Sequence, residues 1–181
     1  TVFTSSTGDP LNCHLLCEAL ATPERMVSPT RFTNSVHNAP AGYWHIATAS
    51  RAPSTSLAAF DASFGAGLLE AAVQCLSSQA PVLLVACDLP YPEPLHAVRP
   101  VADVMAVALL LAPAGGRALS LEVTTEADAT PCAQAGFENL RRTIPAARAL
   151  PLLHALAGSG SASLVLEGLP GMSLTLQVGA A

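Results

Sequence analysis

The apolar positions of the chain change their spacing several times, and each change marks a predicted element. Leu11, Leu15, Leu16 and Leu20 recur at helical spacing behind Asp9 and Pro10. A capping residue followed by a first-turn proline predicts a helix over residues 9–21. Pro23 to Thr33 has no period and reads as loop. Asn34 or Ser35 can cap a second helix to about Ala49, with Pro40 tolerated only in its first turn or two. Thr55 to Phe60, behind Pro53, predicts a short strand, and Asp61-Ala62-Ser63 then caps a long helix of small residues ending near Ser78. Pro81 to Cys87, a continuous apolar run, suits a strand covered on both faces.

Beyond Asp88 the pattern loosens. Residues 89–100 hold four prolines and predict a connecting loop. Val101 to Leu111 and Ala118 to Thr125 flank a Gly-rich turn and predict a hairpin. Pro145 to Ala157 predicts a helix stopped by Gly158, and Ala162 to Leu166 with Met172 to Val178 predicts a second hairpin. Strands and helices alternate, so the expected class is α/β. With 181 residues and no composition break, residues 1–181 are expected to form one domain. The opening Thr1-Val2-Phe3 reads as the middle of a strand, so an N-terminal piece is expected to be missing.

Composition narrows the function. The 51% of hydrophobic residues excludes disorder. All eight cations are arginines against 13 acids, and a net charge of -5 without a basic run excludes a nucleic-acid surface. The longest uncharged apolar run, Val104 to Pro113, is half the roughly 20 residues a membrane helix needs, so no membrane span is expected. Five cysteines, an odd number lying mostly in Ala/Leu-rich segments, point to a reducing cytoplasm. Only 12% of residues are charged, too few to cover the apolar surface, and that implies a partner.

Candidate chemistry is sparse. His37, Asp61 and Ser63 contain the residue types of a hydrolytic triad, but Asp61 stands where a nucleophile elbow needs glycine, so Ser63 reads as a helix-cap hydroxyl. Gly158-Ser159-Gly160-Ser161 lacks the lysine of a phosphate loop and reads as a turn. His45, beside Trp44, reads as a packing residue. Cys13, His14 and Cys17 have no second ligand pair downstream, so neither a metal nor a cofactor is expected.

One stretch is more informative. Ser28-Pro29, Ser35-Val36-His37-Asn38, Ala41-Gly42, and Ser63-Phe64 leading to Gly67-Leu68-Leu69-Glu70-Ala71 resemble the N-terminal half of ketosynthases of the thiolase-like fold. Among these they resemble the short chain-length factors of aryl-polyene and xanthomonadin-type pigment clusters. The resemblance implies a reduced thiolase-like fold with a mixed central sheet and helices on both faces. In that family a nucleophilic cysteine stands at the N-terminus of the buried helix. Ungapped counting puts Asp61 there, and alignment on Gly67 puts Phe64 there.

A carboxylate at a helix N-terminus is a stable anion but a poor acyl acceptor. No independent catalysis is therefore expected, and Asp61 reads as structural. The resemblance implies instead a heterodimer with a catalytic ketosynthase and transient contact with acyl carrier protein. The strand before the helix would be an edge strand that pairs across the dimer axis, which nominates Thr55, Ser56, Leu57 and Phe60. No lysine or inward charge guards this edge. Arg31, Phe32, His37 and Asn38 would approach the dimer seam and the end of the partner's tunnel, Phe32 as a plug or else as ordinary core. Two alternatives stand beside this: an acyl-carrier decarboxylase or hydrolase using His37 with Asp61 or Ser63, and a symmetric homodimer without catalytic role.

Overall fold

Two sheets pack against one central helix, burying its N-terminal half and leaving Val73 and Leu76 near its end exposed. A computed structural model describes residues 1–181. In chain order the elements are β1 (Val2–Thr4), α1 (Pro10–Ala21), α2 (Pro29–Asn34), α3 (Ala39–Thr48), β2 (Thr55–Leu57), a 3-10 turn (Phe60–Ala62), α4 (Ser63–Ser78), β3 (Val82–Asp88) and α5 (Leu95–Val98). Then come β4 (Met105–Leu111), β5 (Leu119–Thr125), α6 (Ala135–Thr143), a second 3-10 turn (Pro145–Ala149), α7 (Leu150–Ala157), β6 (Ala162–Glu167) and β7 (Met172–Val178).

The first sheet runs β2-β1-β3-β4, with three parallel strands and β4 antiparallel. Helices cover both faces. Val2 and Thr4 of β1 point toward α4, while Phe3 points the other way and meets the Trp44 ring of α3 at 6.4 Å. The second sheet, β5-β7-β6, is wholly antiparallel and closes the far side of α4. The expected mixed α/β layering, with helices on both faces of the first sheet, is therefore present, and a separate three-stranded sheet is added.

Helix α4 fits because its sequence is small where it must be. Phe64, Leu68, Ala71 and Cys75, spaced 4, 3 and 4, form one buried stripe. Gly65 and Gly67 admit a sheet on either side. A Cβ on Gly65 would stand 2.6 Å from the Glu167 carbonyl oxygen of β6, and one on Gly67 would stand 2.7 Å from Thr4 Cγ2 of β1. The two sheets thus approach the helix more closely than any side chain allows.

Several expected elements differ. The segments 101–111 and 118–125 do not form a hairpin: β4 pairs with β3, and β5 pairs with β7 in the other sheet. Register explains the split, since Val107 and Leu109 of β4 extend the core over β3 while β5 needs β7 to cover Leu119 and Leu121. The loop expected at 23–33 gives way to α2 from Pro29, capped by the Ser28 hydroxyl. The second helix starts later, at Ala39, which leaves Pro40 in its first turn as anticipated. The short α5 lies in the expected 89–100 loop, and the 145–157 helix opens as a 3-10 turn. The β6–β7 hairpin forms as expected.

Helix α6 was not foreseen, because its buried anchor is a charge. Arg141 is 8% exposed and grips Glu138 with two nitrogens, at 2.8 and 2.7 Å, while its third reaches Glu167 of β6. The Cys132 N–H also donates to Glu138, at 2.8 Å. Such charge-assisted pairs tie α6 to β6 where apolar periodicity is silent.

Two predictions follow from this packing. Gly65→Ala is expected to cost about 1–3 kcal/mol, read as a lowered denaturant midpoint, because the Glu167 backbone cannot retreat as a flexible side chain would. The Arg141 guanidinium, followed by the Cys132 N–H, lowers the Glu138 carboxyl to about 2. A carboxylate lowered by folding stabilises the native state fully above its ordinary value and loses that contribution as pH falls toward 2. Urea midpoints measured from pH 5 down to pH 2 should therefore fall less steeply in Glu138→Gln than in the wild type. Parallel curves would remove this role.

Candidate functional site

The segment joining β2 to α4 is a tight strand-to-helix elbow. Phe60 sits in it at φ 51, a left-handed conformation that costs a bulky residue energy and persists only where the surroundings enforce it. The enforcing group is Ser63. Its hydroxyl, 2% exposed as a residue, accepts the Ala59 N–H at 2.9 Å and reaches the carbonyls of Phe60 at 2.7 Å and Ser5 at 3.3 Å. Ser63 is thus the first residue of α4 rather than a cap ahead of it, and its hydroxyl staples the elbow shut.

Asp61 does not cap the helix either. Its carboxylate points away to Arg99, 2.7 Å from Nη2, and to Arg148 at 3.4 Å. The Arg99 guanidinium carbon also lies 3.6 Å from the centre of the Phe60 ring, with the Tyr91 ring at 5.9 Å. Cation, ring and carboxylate are stacked on one another and hold the elbow from outside. Phe60 therefore occupies the strained elbow position, one residue before Asp61, while Phe64 is buried in the core at 1% exposure.

None of the five cysteines lies in the elbow, and all are free thiols. Cys87, on β3, is pushed up by burial and by the adjacent Asp88 charge. Burial followed by the Glu138 charge also pushes Cys132 up. Both shifts work against a nucleophilic thiolate.

The strand leading into the elbow is shorter than expected, Thr55–Leu57, so Phe60 lies outside it. It does form the edge of the first sheet. Thr55 donates its N–H to Thr1 O and Leu57 accepts from the Ser5 N–H, so both face β1, and by alternation the N–H and C=O of Ser56 face the open edge.

The α2–α3 residues stand apart from the elbow. Arg31 is exposed, and its carbonyl accepts from Asn12 Nδ2 at 2.8 Å. Phe32 is 68% exposed, which excludes the core-packing alternative. Asn38 stands at the N-cap of α3 but makes no side-chain cap bond. Both ring nitrogens of His37 are buried without a hydrogen-bond partner. No hydrogen bond joins His37, Asp61 and Ser63, so they form no triad. His45 is satisfied by Ser50 O at 3.1 Å and Thr1 Oγ1 at 3.3 Å, as a packing histidine should be. Sequence reasoning missed Arg99 and Arg148. Their one signal was scarcity, because in a chain with eight arginines and no lysine each guanidinium is a placed charge.

Ser63→Ala should lower stability by about 1–3 kcal/mol by orphaning the Ala59 N–H and removing the bond that holds the Phe60 carbonyl, measured by denaturant unfolding. A loss smaller than about 0.5 kcal/mol, the spread of ordinary surface changes, would mean the staple is dispensable.

With this geometry in place, the family model for the N-terminal domain of beta-ketoacyl synthases matches residues 1–165. Among solved structures, one described as the ketosynthase ApeO in complex with its chain length factor ApeC, from Xenorhabdus doucetiae, is similar at a TM-score of 0.72 and 26% identity. The match covers 97% of this chain and 67% of that one. No curated protein matches.

Proposed function

Since the chain belongs to the beta-ketoacyl synthase N-terminal domain family, we propose that it is a non-catalytic chain-length factor, pairing in the cytoplasm with an active ketosynthase that builds a polyene chain on acyl carrier protein. The observation that carries this reading is the elbow. At the start of α4, where the resemblance puts the family's nucleophile, stand Phe60 under an arginine, Asp61 paired with two arginines and the buried Phe64, none of them a cysteine and Asp61 a poor acyl acceptor. Such a protein contributes shape and surface, and the partner contributes the thiol.

Two features support a heterodimer. The β2 edge is open, with no lysine or inward charge on Thr55, Ser56 or Leu57. Beside it in sequence, α2 and α3 present Phe32, Tyr43 and Ile46 at 68, 57 and 79% exposure. Large apolar side chains exposed in this number are a surface waiting for cover. We assign Arg31, Phe32, His37 and Asn38 to the partner-facing rim. The alternative of a stand-alone acyl hydrolase has no support in the placement of His37, Asp61 and Ser63.

Ser56→Pro tests the pairing. It removes the one N–H that β2 offers outward and leaves the ladder to β1 in place. Co-expressed with a ketosynthase from such a pigment cluster, the wild type should co-purify in a one-to-one complex, and the variant should bind roughly tenfold more weakly with an unchanged circular dichroism spectrum. Recovery of a symmetric homodimer alone, or turnover of acyl-carrier substrates by the isolated chain, would overturn the reading.

A further inference from the structure

We infer that the groove outside the elbow is a binding site for a phosphate dianion, free or as the monoester of a small alcohol. The groove holds about 240 Å³ and brings together Arg99, Arg142, Arg148 and Asp61 over a wall that includes Val98 and Pro145. Three of the eight cations of a chain with net charge -5 thus meet in one hollow.

The local charges do not cancel. Asp61 is the one acid in the groove, and it is shared between Arg99 and Arg148. Arg142 makes no ion pair or side-chain hydrogen bond of its own. On its other side Arg142 borders a hollow lined by Glu126, Asp128, Glu138 and Glu167, of which Glu138 and Glu167 are already bonded to Arg141. Within the groove's own lining two positive charges are left over. The donors are left over as well: Nε of Arg99 and Nε of Arg148 are both shut off from solvent and have no hydrogen-bond partner. A buried guanidinium N–H without an acceptor is costly, so Arg99 and Arg148 are held at the groove with donor capacity that their pairing with Asp61 does not use.

Charge and shape select the ligand. A carboxylate or a phosphodiester carries one negative charge and would leave one guanidinium unbalanced. A phosphate monoester or inorganic phosphate carries nearly two near neutral pH and offers several oxygens to planar guanidinium forks. Val98 and Pro145 give the carbon side of an ester an apolar surface to lie on. This site is independent of the pairing with a ketosynthase, so either can fail alone.

The test is isothermal titration of the intact chain with inorganic phosphate, glycerol 3-phosphate and acetate at matched ionic strength. Saturable binding of phosphate or of the ester, with acetate at least about tenfold weaker, is expected. Arg142→Gln should weaken that binding at least about tenfold, while Arg51→Gln, an exposed arginine outside the groove, should leave it unchanged. Arg142 is exposed and makes no bond in the fold, so its loss is read on a folded protein whatever becomes of an Arg148 variant. A tighter ester than free phosphate identifies an esterified ligand, and equal affinities identify the free dianion. Acetate binding as well as phosphate, a response that never saturates, or an Arg142→Gln titration identical to wild type overturns the site.

Discussion

The carboxylate of Asp88 is the joint on which the rest of this structure is assembled. It stands at the end of β3, 3% exposed, and accepts the N–H of Ser6 at 2.7 Å and the N–H of Ala146 at 2.7 Å. Ser6 follows β1, and Ala146 is the second residue of the 3-10 turn of the C-terminal half. One side chain therefore sets where two distant stretches of backbone meet, and removing it would strand two buried donors. The consequences reach the elbow from both directions. Ser5, next to Ser6, supplies a carbonyl to Ser63, and Arg148, two residues past Ala146, reaches Asp61.

Strain and restraint are matched at that elbow. The positive φ of Phe60 is held from inside by the Ser63 hydroxyl and from outside by the Arg99 stack, so the turn is fixed on both sides. A further arginine anchor lies beside the second sheet. Arg117 donates to the carbonyls of Ala155, Leu156, Gly158, Gly160 and Gly179, which closes the end of α7 against the final strand. The absence of lysine reads sensibly in this light, because planar multidentate donors suit bridging work better than a point charge does.

What could be read from sequence was whatever apolar spacing or capping writes down. Helices α1 and α4, strand β3 and the final hairpin were all legible in that way. The quoted motifs from Ser28 to Ala71 pointed to the family. What escaped was set by charge or by competition between sheets. The period of β4 and β5 says only that they are strands, and their partners were decided by which sheet had core left to cover. Helix α6 hides its anchor in a buried arginine. At the site, the left-handed φ of Phe60 went unread, because it is a property of the backbone and leaves no mark in residue type. Arg99 and Arg148 come from segments 38 and 87 residues away from Asp61 in sequence, joined to it only by the folded chain.

The brevity of β2 has a consequence for fidelity. With three residues, and only Ser56 turned outward, this edge offers any added strand a single donor and a single acceptor. So little main-chain bonding cannot tell one partner from another, since every polypeptide carries the same groups. Discrimination has to come from the side chains around the edge. In the proposed pairing, two closely related assemblies are then kept apart by altering the exposed faces of α2 and α3, while the edge strand stays the same.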